Sequence, residues 1–343
     1  MATVKDVARE AGVSLGTVSN VLNGKGSVKP RNREKVYEAM KKLGFHYNMT
    51  ASALRTKTTK NIGLILPTII NPFYPDLARG VEDEARKAGF TVFLCNSDRD
   101  KDKEQEYIEA LLSKGVDGII LLKPQSGREQ LTMLYERTAL VVEDWENGDG
   151  DLLPSVNIDG AMGIIQGMNT LVQYGHRRIA FIAGLTESYS GRSGINVYKE
   201  SLEAWKIPFR QEYIAFGDYS WKSGLSAAKK FLELDEPPTA IFASNDMMAI
   251  GAIKAIQSRG IQVPDAMSVM GIDDIEMGLL CTPALTTIHQ PKYEVGAEAF
   301  RLLMREIKEG KGRGDNRQVT LGTRIVMRDS VTYARGCRDA WSI

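Results

Sequence analysis

Three cysteines and three histidines are all that 343 residues contain of these two types. Cys95, Cys281 and Cys337 lie far apart, without metal-ligand spacing. They read as ordinary thiols of a reducing cytoplasm, not as a disulfide framework. So few histidines exclude a histidine-rich metal site. Long apolar runs are missing too: none is long enough to span a bilayer, and the N-terminus has no apolar signal region. There is no G-x-S-x-G elbow, no P-loop and no glycine-rich dinucleotide fingerprint after a strand. His176, in YGHRRIAF, has no nucleophile near it in sequence. These absences point away from membrane, metal, cofactor and catalysis.

What is present is unevenly charged. Residues 1–60 hold twelve Lys/Arg against four Asp/Glu, a net of +8, while residues 61–343 hold 32 against 39. A cationic head on an acidic body is the asymmetry expected when only the head meets phosphate. At 343 residues the chain is too long for one ordinary core, so two or three domains are expected.

Within the head, Thr3 to Asn23 reads as two short helices joined by a tight turn. Val4, Val7, Ala8 and Ala11 recur at the spacing of one helical face. Thr3 with Asp6 has the form of a capping box, and Gly12 stops the helix. Ser14 caps a second helix whose inward residues are Val18, Val21 and Leu22. That leaves Leu15, Gly16, Thr17, Ser19, Asn20 and Asn23 outside the buried stripe, small or polar and without an acid. Such a face fits a major groove, and equally a solvated helical hairpin. A third helix is expected over Arg31 to Leu43, closed by Val36, Met40 and Leu43 and ended by Gly44. Lys29, Arg31 and Arg33 at its start would reach phosphates, setting register without reading sequence.

The string Asp6-Val7-Ala8, Ala11 to Ser14, Thr17-Val18-Ser19, Val21-Leu22-Asn23, then Asn48, Ala51 and Leu54, resembles the DNA-binding headpiece of the lactose-repressor (LacI/GalR-type) family of bacterial transcription regulators. The similarity continues to about residue 333. It implies a helix-turn-helix headpiece over 1–47, with Thr3, Lys5, Ser14, Leu15, Gly16, Thr17, Ser19, Asn20, Asn23, Lys29 and Arg31 on DNA. Residues 48–60 would be a hinge helix, with Tyr47, Asn48, Ala51, Leu54 and Arg55 at the duplex and Leu54 wedged into a minor-groove base step. By composition alone the same piece reads as a flexible linker. Tyr47 stands where the family usually has proline, Ser52 where it often has arginine, and Asn20 where many members carry arginine. By the same likeness His176 is a structural turn residue.

From Asn61 the pattern changes to short β-rich runs alternating with helices. Strands are expected at 61–66, 91–96 and 117–122, a fourth in the run before Glu143, and others at 178–184, 213–216, 240–244 and 268–272. Helices are expected at 75–88, 102–114, 160–174, 221–234, 246–258 and 292–309, with one more running to Trp205. This is an α/β body of parallel sheets covered on both faces, in two successive blocks with a cleft at the strand ends. The resemblance makes it a two-lobed, periplasmic-binding-protein-like body of doubly wound sheets spanning 61–334. Lobe one would be 61–159 plus 291–320, and lobe two 160–290 plus 321–334, with three crossovers and an unassigned tail at 335–343.

Polar and aromatic groups gather after these strands, a combination suited to a hydroxyl-rich or planar ligand. By the family pattern Phe73, Tyr74, Asp144, Trp145, Tyr219, Asn245 and Asp273 line a small-molecule site. Gly194 stands where the family usually has arginine, and Arg192 is the substitute within reach. Asp246, Asp273 and Asp274 read equally as helix caps or structural bonds. The family likeness favours a sugar or sugar derivative, with a purine-like ligand second. The expected function is a ligand-controlled repressor binding a near-palindromic operator as a homodimer. The alternative is a cytoplasmic solute-binding sensor without DNA binding.

Overall fold

The computed structural model describes residues 2–22, 28–45, 58–145, 153–185, 189–310 and 317–335, excepting the side chains of 189–192. The chain forms two compact units, Met1–Thr59 and Lys60–Ile343.

The first unit holds α1 (Val4–Ala11), α2 (Leu15–Leu22) and α3 (Pro30–Lys42). Thr3 and Asp6 form a reciprocal capping box, so two N–H groups that the first turn leaves over are satisfied. Gly12 ends α1 at φ +62°, a conformation that costs glycine nothing. Ser14 Oγ accepts from Thr17 N–H at 3.1 Å and starts α2. Helix α3 begins one residue earlier than expected, at Pro30, because proline needs no N–H partner in the first turn. Val7, Ala8, Ala11, Val18, Val21, Val28, Val36 and Ala39 make one small core.

The second unit contains β1 (Asn61–Leu66), α4 (Phe73–Lys87), β2 (Thr91–Asn96), α5 (Lys101–Ser113), β3 (Gly118–Leu122), α6 (Arg128–Arg137), β4 (Ala139–Glu143) and β5 (Ser155–Ile158). Then come α7 (Gly160–Gln173), β6 (Ile179–Ala183), α8 (Tyr189–Ala204), β7 (Ile214–Phe216), α9 (Trp221–Leu232), β8 (Ala240–Ala243), α10 (Asp246–Ser258) and β9 (Ser268–Asp273). The unit closes with α11 (Glu276–Leu280), β10 (Thr286–His289), α12 (Lys292–Glu309), β11 (Gln318–Leu321) and β12 (Arg324–Val326). Two six-stranded sheets result, ordered β11-β5-β4-β3-β1-β2 and β12-β10-β9-β8-β6-β7. Every pairing is parallel except β10 with β12. The inner strands are buried along their length (GIILL, ALVVE, IAFIA, AIFA), as sheets covered on both faces require.

Because β11 joins the first sheet and β12 the second, the chain passes between the sheets after β5, after β10 and after β11. Helix α12 returns to the first sheet, where Val295, Ala299, Leu302 and Leu303 enter its core. Val295, Leu302 and Leu303 each contribute about 1.5–3 kcal/mol by leaving water. Helices α4 and α12 cross at backbone contact: a Cβ on Gly80 would lie 2.1 Å from Tyr293 O, and one on Gly296 2.0 Å from Leu77 O. Helices α9 and α10 repeat the device with Gly224 and Gly251. Among the described residues no helix is long and apolar enough to cross a membrane.

Candidate functional site

Two surfaces concern function, one on each unit. On the first unit, α2 buries Val18 and Val21, while Ser14, Leu15 and Gly16 at its start are exposed. Leu15 is 48% exposed, unusual for leucine in a helix with a core to join. Thr17, Ser19 and Asn20 are half-buried beside them. Lys5, Lys29 and Arg31 are exposed at the starts of α1 and α3. Thr3 spends its hydroxyl on Asp6, which leaves its chain position, not its side chain, to meet a partner. Asn23, Tyr47, Asn48, Ala51, Leu54 and Arg55 lie outside the described residues.

On the second unit a cavity of about 420 Å³ opens between the carboxyl ends of the two sheets. Doubly wound sheets place ligands there because the loops after neighbouring strands diverge. The first sheet contributes Asn71, Phe73, Tyr74, Lys123, Glu143, Asp144, Trp145, Asn157, Asp159, Gln318 and Thr320. From the second come Tyr219, Ser244, Asn245, Ile272, Asp273 and Gln290, with Ser193 and Gly194 of α8. Seven of the eight expected residues thus share one wall-to-wall space. For the eighth, Arg192, the backbone is helical and the side chain is outside the description. Gly194 lines the cavity, and a Cβ there would lie 3.3 Å from Ile164 Cδ1.

The backbone is strained where it meets this space. Lys123, Asp144, Tyr219 and Asp273 all have positive φ (46°, 58°, 66° and 125°). Such conformations persist at functional sites because the surroundings over-determine them. Asn245 caps α10 through Met248 N–H at 2.9 Å and donates to Tyr219 O at 3.0 Å, fixing that turn. Asn157 bonds Trp145 twice, accepting from its N–H and donating to its carbonyl, both at 3.1 Å. Across the cleft, the Tyr219 ring sits under the Arg99 guanidinium at 5.3 Å and the Lys123 ammonium at 5.9 Å.

Lys123 pairs with Asp144 at 3.5 Å. Burial alone would weaken the ammonium, but Asp144, Tyr74 and Glu143 outweigh it and hold its pKa well above the ordinary value. Burial, reinforced by Asp144 and opposed by Lys123, pushes Glu143 up to about 8. Burial and Asp246 push Asp273 well up, against the pull of Lys292 and Lys123. Five buried side-chain polar atoms among the described residues have no hydrogen-bond partner, and three of them, Glu143 Oε2, Trp145 Nε1 and Asp273 Oδ2, belong to residues lining this cavity. Buried polar atoms are nearly always paired, so this concentration leaves hydrogen-bonding capacity open in the cavity wall.

Asp246 is a different case. It does not line the cavity; it accepts from Thr287 Oγ1 at 2.5 Å and Ile275 N–H at 2.9 Å, tying α10 to β10 and the segment after β9. Asp274 is held by Arg328 and by His289 Nδ1. His176 is buried between Thr239 Oγ1 and the Thr332 carbonyl, each at 3.0 Å, and burial lowers its pKa to about 4. It is a neutral structural bridge.

The model for bacterial regulatory proteins of the lacI family matches residues 3–48, and that for the periplasmic binding protein-like domain matches residues 168–331. Catabolite control protein A of Priestia megaterium is 40% identical over 329 residues, covering 96% of this chain and 98% of that one. The chain belongs to the lacI family of bacterial regulatory proteins. The HTH-type transcriptional repressor PurR of Proteus mirabilis (strain HI4320) is 36% identical over 335 residues, covering 96% of this chain and 97% of that one. The crystal structure of the Lac repressor dimer bound to operator and the anti-inducer ONPF superposes with a TM-score of 0.83 at 27% identity, over 96% of this chain and 99% of that one. The transcriptional regulator CelR–cellobiose complex gives a TM-score of 0.73 at 29% identity, over 96% and 100%. Membership makes this chain a DNA-binding transcriptional repressor under small-molecule control, and removes the sensor without DNA binding from consideration.

Several lining residues escaped the sequence reading. Lys123 directly follows LL of a recognised strand, so the strand-end rule would have found it. Asn157 sits in SVNI, a strand too short to show a period; Gln290 follows and Gln318 begins equally short strands.

Proposed function

We propose that this repressor binds a small hydroxyl-rich effector, a sugar or sugar derivative, in the cavity between its two sheets, and that occupancy sets how tightly the headpiece holds a near-palindromic operator. The observation that carries the ligand class is the set of unpartnered atoms on Glu143, Asp273 and Trp145. Two carboxyl oxygens and one indole N–H ask for several hydroxyls that both donate and accept. The Trp145 and Tyr219 rings favour a planar purine as the second candidate. Phe73, Tyr74, Asp144, Tyr219 and Asn245 complete the proposed contacts, with Arg192 at the helix that borders them.

In the headpiece, proposed as 1–47, Ser14, Leu15, Gly16, Thr17, Ser19, Asn20 and Asn23 read the major groove, while Thr3, Lys5, Lys29 and Arg31 hold the backbone. Residues 48–60 form the proposed hinge, with Leu54 as its wedge, and 61–334 the effector and dimerisation domain. Apolar side chains stand exposed on the edge strands of both sheets, Phe93 and Leu94 on β2 and Phe216 on β7, and on α11, Leu279 and Leu280. A patch of this kind fits a second copy of the chain, hence a homodimer. The protein acts in the cytoplasm as a regulator and not as an enzyme.

A thermal-shift screen of the full chain with free sugars, sugar phosphates and purines tests the reading. A ligand at a hundredfold its dissociation constant adds about 2.7 kcal/mol of stability. The hit should change operator affinity in a mobility shift, and Trp145→Ala should abolish both effects. A hit whose binding survives Trp145→Ala and Asp273→Ala unchanged would move the effector site elsewhere.

A further inference from the structure

Lys292 opens α12 and is buried, a setting in which an ammonium keeps its charge only if it is well bonded. Its Nζ donates to the backbone carbonyls of Asp273 at 2.5 Å and Asp274 at 3.0 Å. Those acceptors belong to the second sheet, at the end of β9. Helix α12 belongs to the core of the first. One buried cation therefore bridges the lobes at the crossover between β10 and α12.

The acceptors are themselves unusual. Asp273 and Asp274 have φ of 125° and 57°, both in the region that side chains disfavour. Two consecutive residues hold such a shape only when neighbours enforce it. Those neighbours come from both lobes. Arg328 and His289 fix the Asp274 carboxylate from within the second lobe. Lys292 fixes the two carbonyls from the first. The Asp273 carboxyl lines the cavity, bonded to Asn71, with Oδ2 still unpartnered.

We infer that Lys292 is a positioning residue. It holds the Asp273–Asp274 turn in the form that presents Asp273 to the cavity, and it ties that turn to α12, so a ligand seated on Asp273 acts on the first lobe through this ammonium. Its regulatory sense rests on the cavity being the effector site; its mechanical part does not.

Hydrogen–deuterium exchange on the full chain, without ligand, tests the mechanical part. Lys292→Met should speed exchange at least tenfold on both sides of the bridge. One side is the amides of Asp274 and Ile275, which donate to Thr287 Oγ1 and Asp246. The other is the first turn of α12, where Val295 N–H bonds Pro291 O. The interior of β1, β3, β6 and β8 should keep its protection. Lys292→Arg, which retains charge and donors, should restore most of the protection on both sides. Uniform loss of protection throughout the body in Lys292→Met, without rescue by arginine, would make Lys292 a general structural residue and overturn the inference. So would a change confined to one lobe. If Lys292→Met does not fold, Lys292→Gln, which keeps two donors and loses only charge, is read by the same pattern. A failed ligand screen would leave this result standing, and the converse holds as well.

Discussion

Glu143→Gln isolates the burial of one carboxyl in the cavity wall. Burial, with Asp144 adding and Lys123 opposing, raises Glu143 from 4.5 to about 8. Between those values the folded chain keeps a proton that the unfolded chain has lost. Stability from this group is therefore complete below pH 4.5 and declines as pH rises toward 8. Each pH unit in that window corresponds to about 1.4 kcal/mol, so the gap caps the effect at about 5 kcal/mol. Sharing of charge with Asp144 and Lys123 reduces it, and about 2 kcal/mol is expected. Glutamine has nearly the same shape and is neutral at every pH, so it escapes the decline. For a body of this size that corresponds to about 4–8 °C in melting temperature. The assay is calorimetry on full-length wild type and variant from pH 5 to 8.5. The difference in Tm should be near zero at pH 5 and grow in the variant's favour to about pH 8. Asp246 and His176, which also titrate abnormally, are common to both proteins and cancel. Parallel curves would show that Glu143 is not buried against its ionised form.

Other consequences are open to direct measurement. Asn20→Ala should lose about 1–3 kcal/mol of discrimination at one operator base pair with its salt slope unchanged, whereas Lys29→Ala should weaken binding to all sequences and reduce the slope by about 1; anisotropy titrations across a salt series separate the two. Gly296→Val would press a side chain against Leu77 O, forcing α4 and α12 apart, and urea unfolding should report a loss of at least about 1–3 kcal/mol. Asp246→Ala would leave Ile275 N–H and Thr287 Oγ1 without their acceptor, a loss of about 1–3 kcal/mol for each group by the same measurement; an unchanged midpoint would mean that water replaces the carboxylate.

Much of this molecule was written in short-range pattern. The capping box of Thr3 and Asp6, the stop at Gly12 and the 3.6-residue stripe of Val7, Ala8 and Ala11 act within one or two turns, so they are readable without knowing the rest. The same holds for long buried strands such as IAFIA, and for helix 246–258 with Asn245 as its cap. The strands missed were three or four residues long or lay at sheet edges, where no period develops: β5, β10, β11 and β12. Their existence depends on a neighbouring strand to bond to, which is a tertiary fact.

The candidate site divides the same way. Aromatic and acidic residues after strands were visible as a class, because a strand end followed by polar groups is a local signature. Which ends face one another was not. Lys123 against Asp144, Asn157 clamping Trp145, and Tyr219 beneath Arg99 each join residues that follow or lie in different strands. Lys292 looks like an ordinary surface lysine at a helix start. Only the return of α12 to the first lobe buries it against Asp273 and Asp274, because the loss of water is what turns a common cation into a bridge. Local sequence chose the helices, the strands and the side chains on offer; the meeting of two sheets decided which of those side chains lost their solvent, and with it which of them had to find a partner.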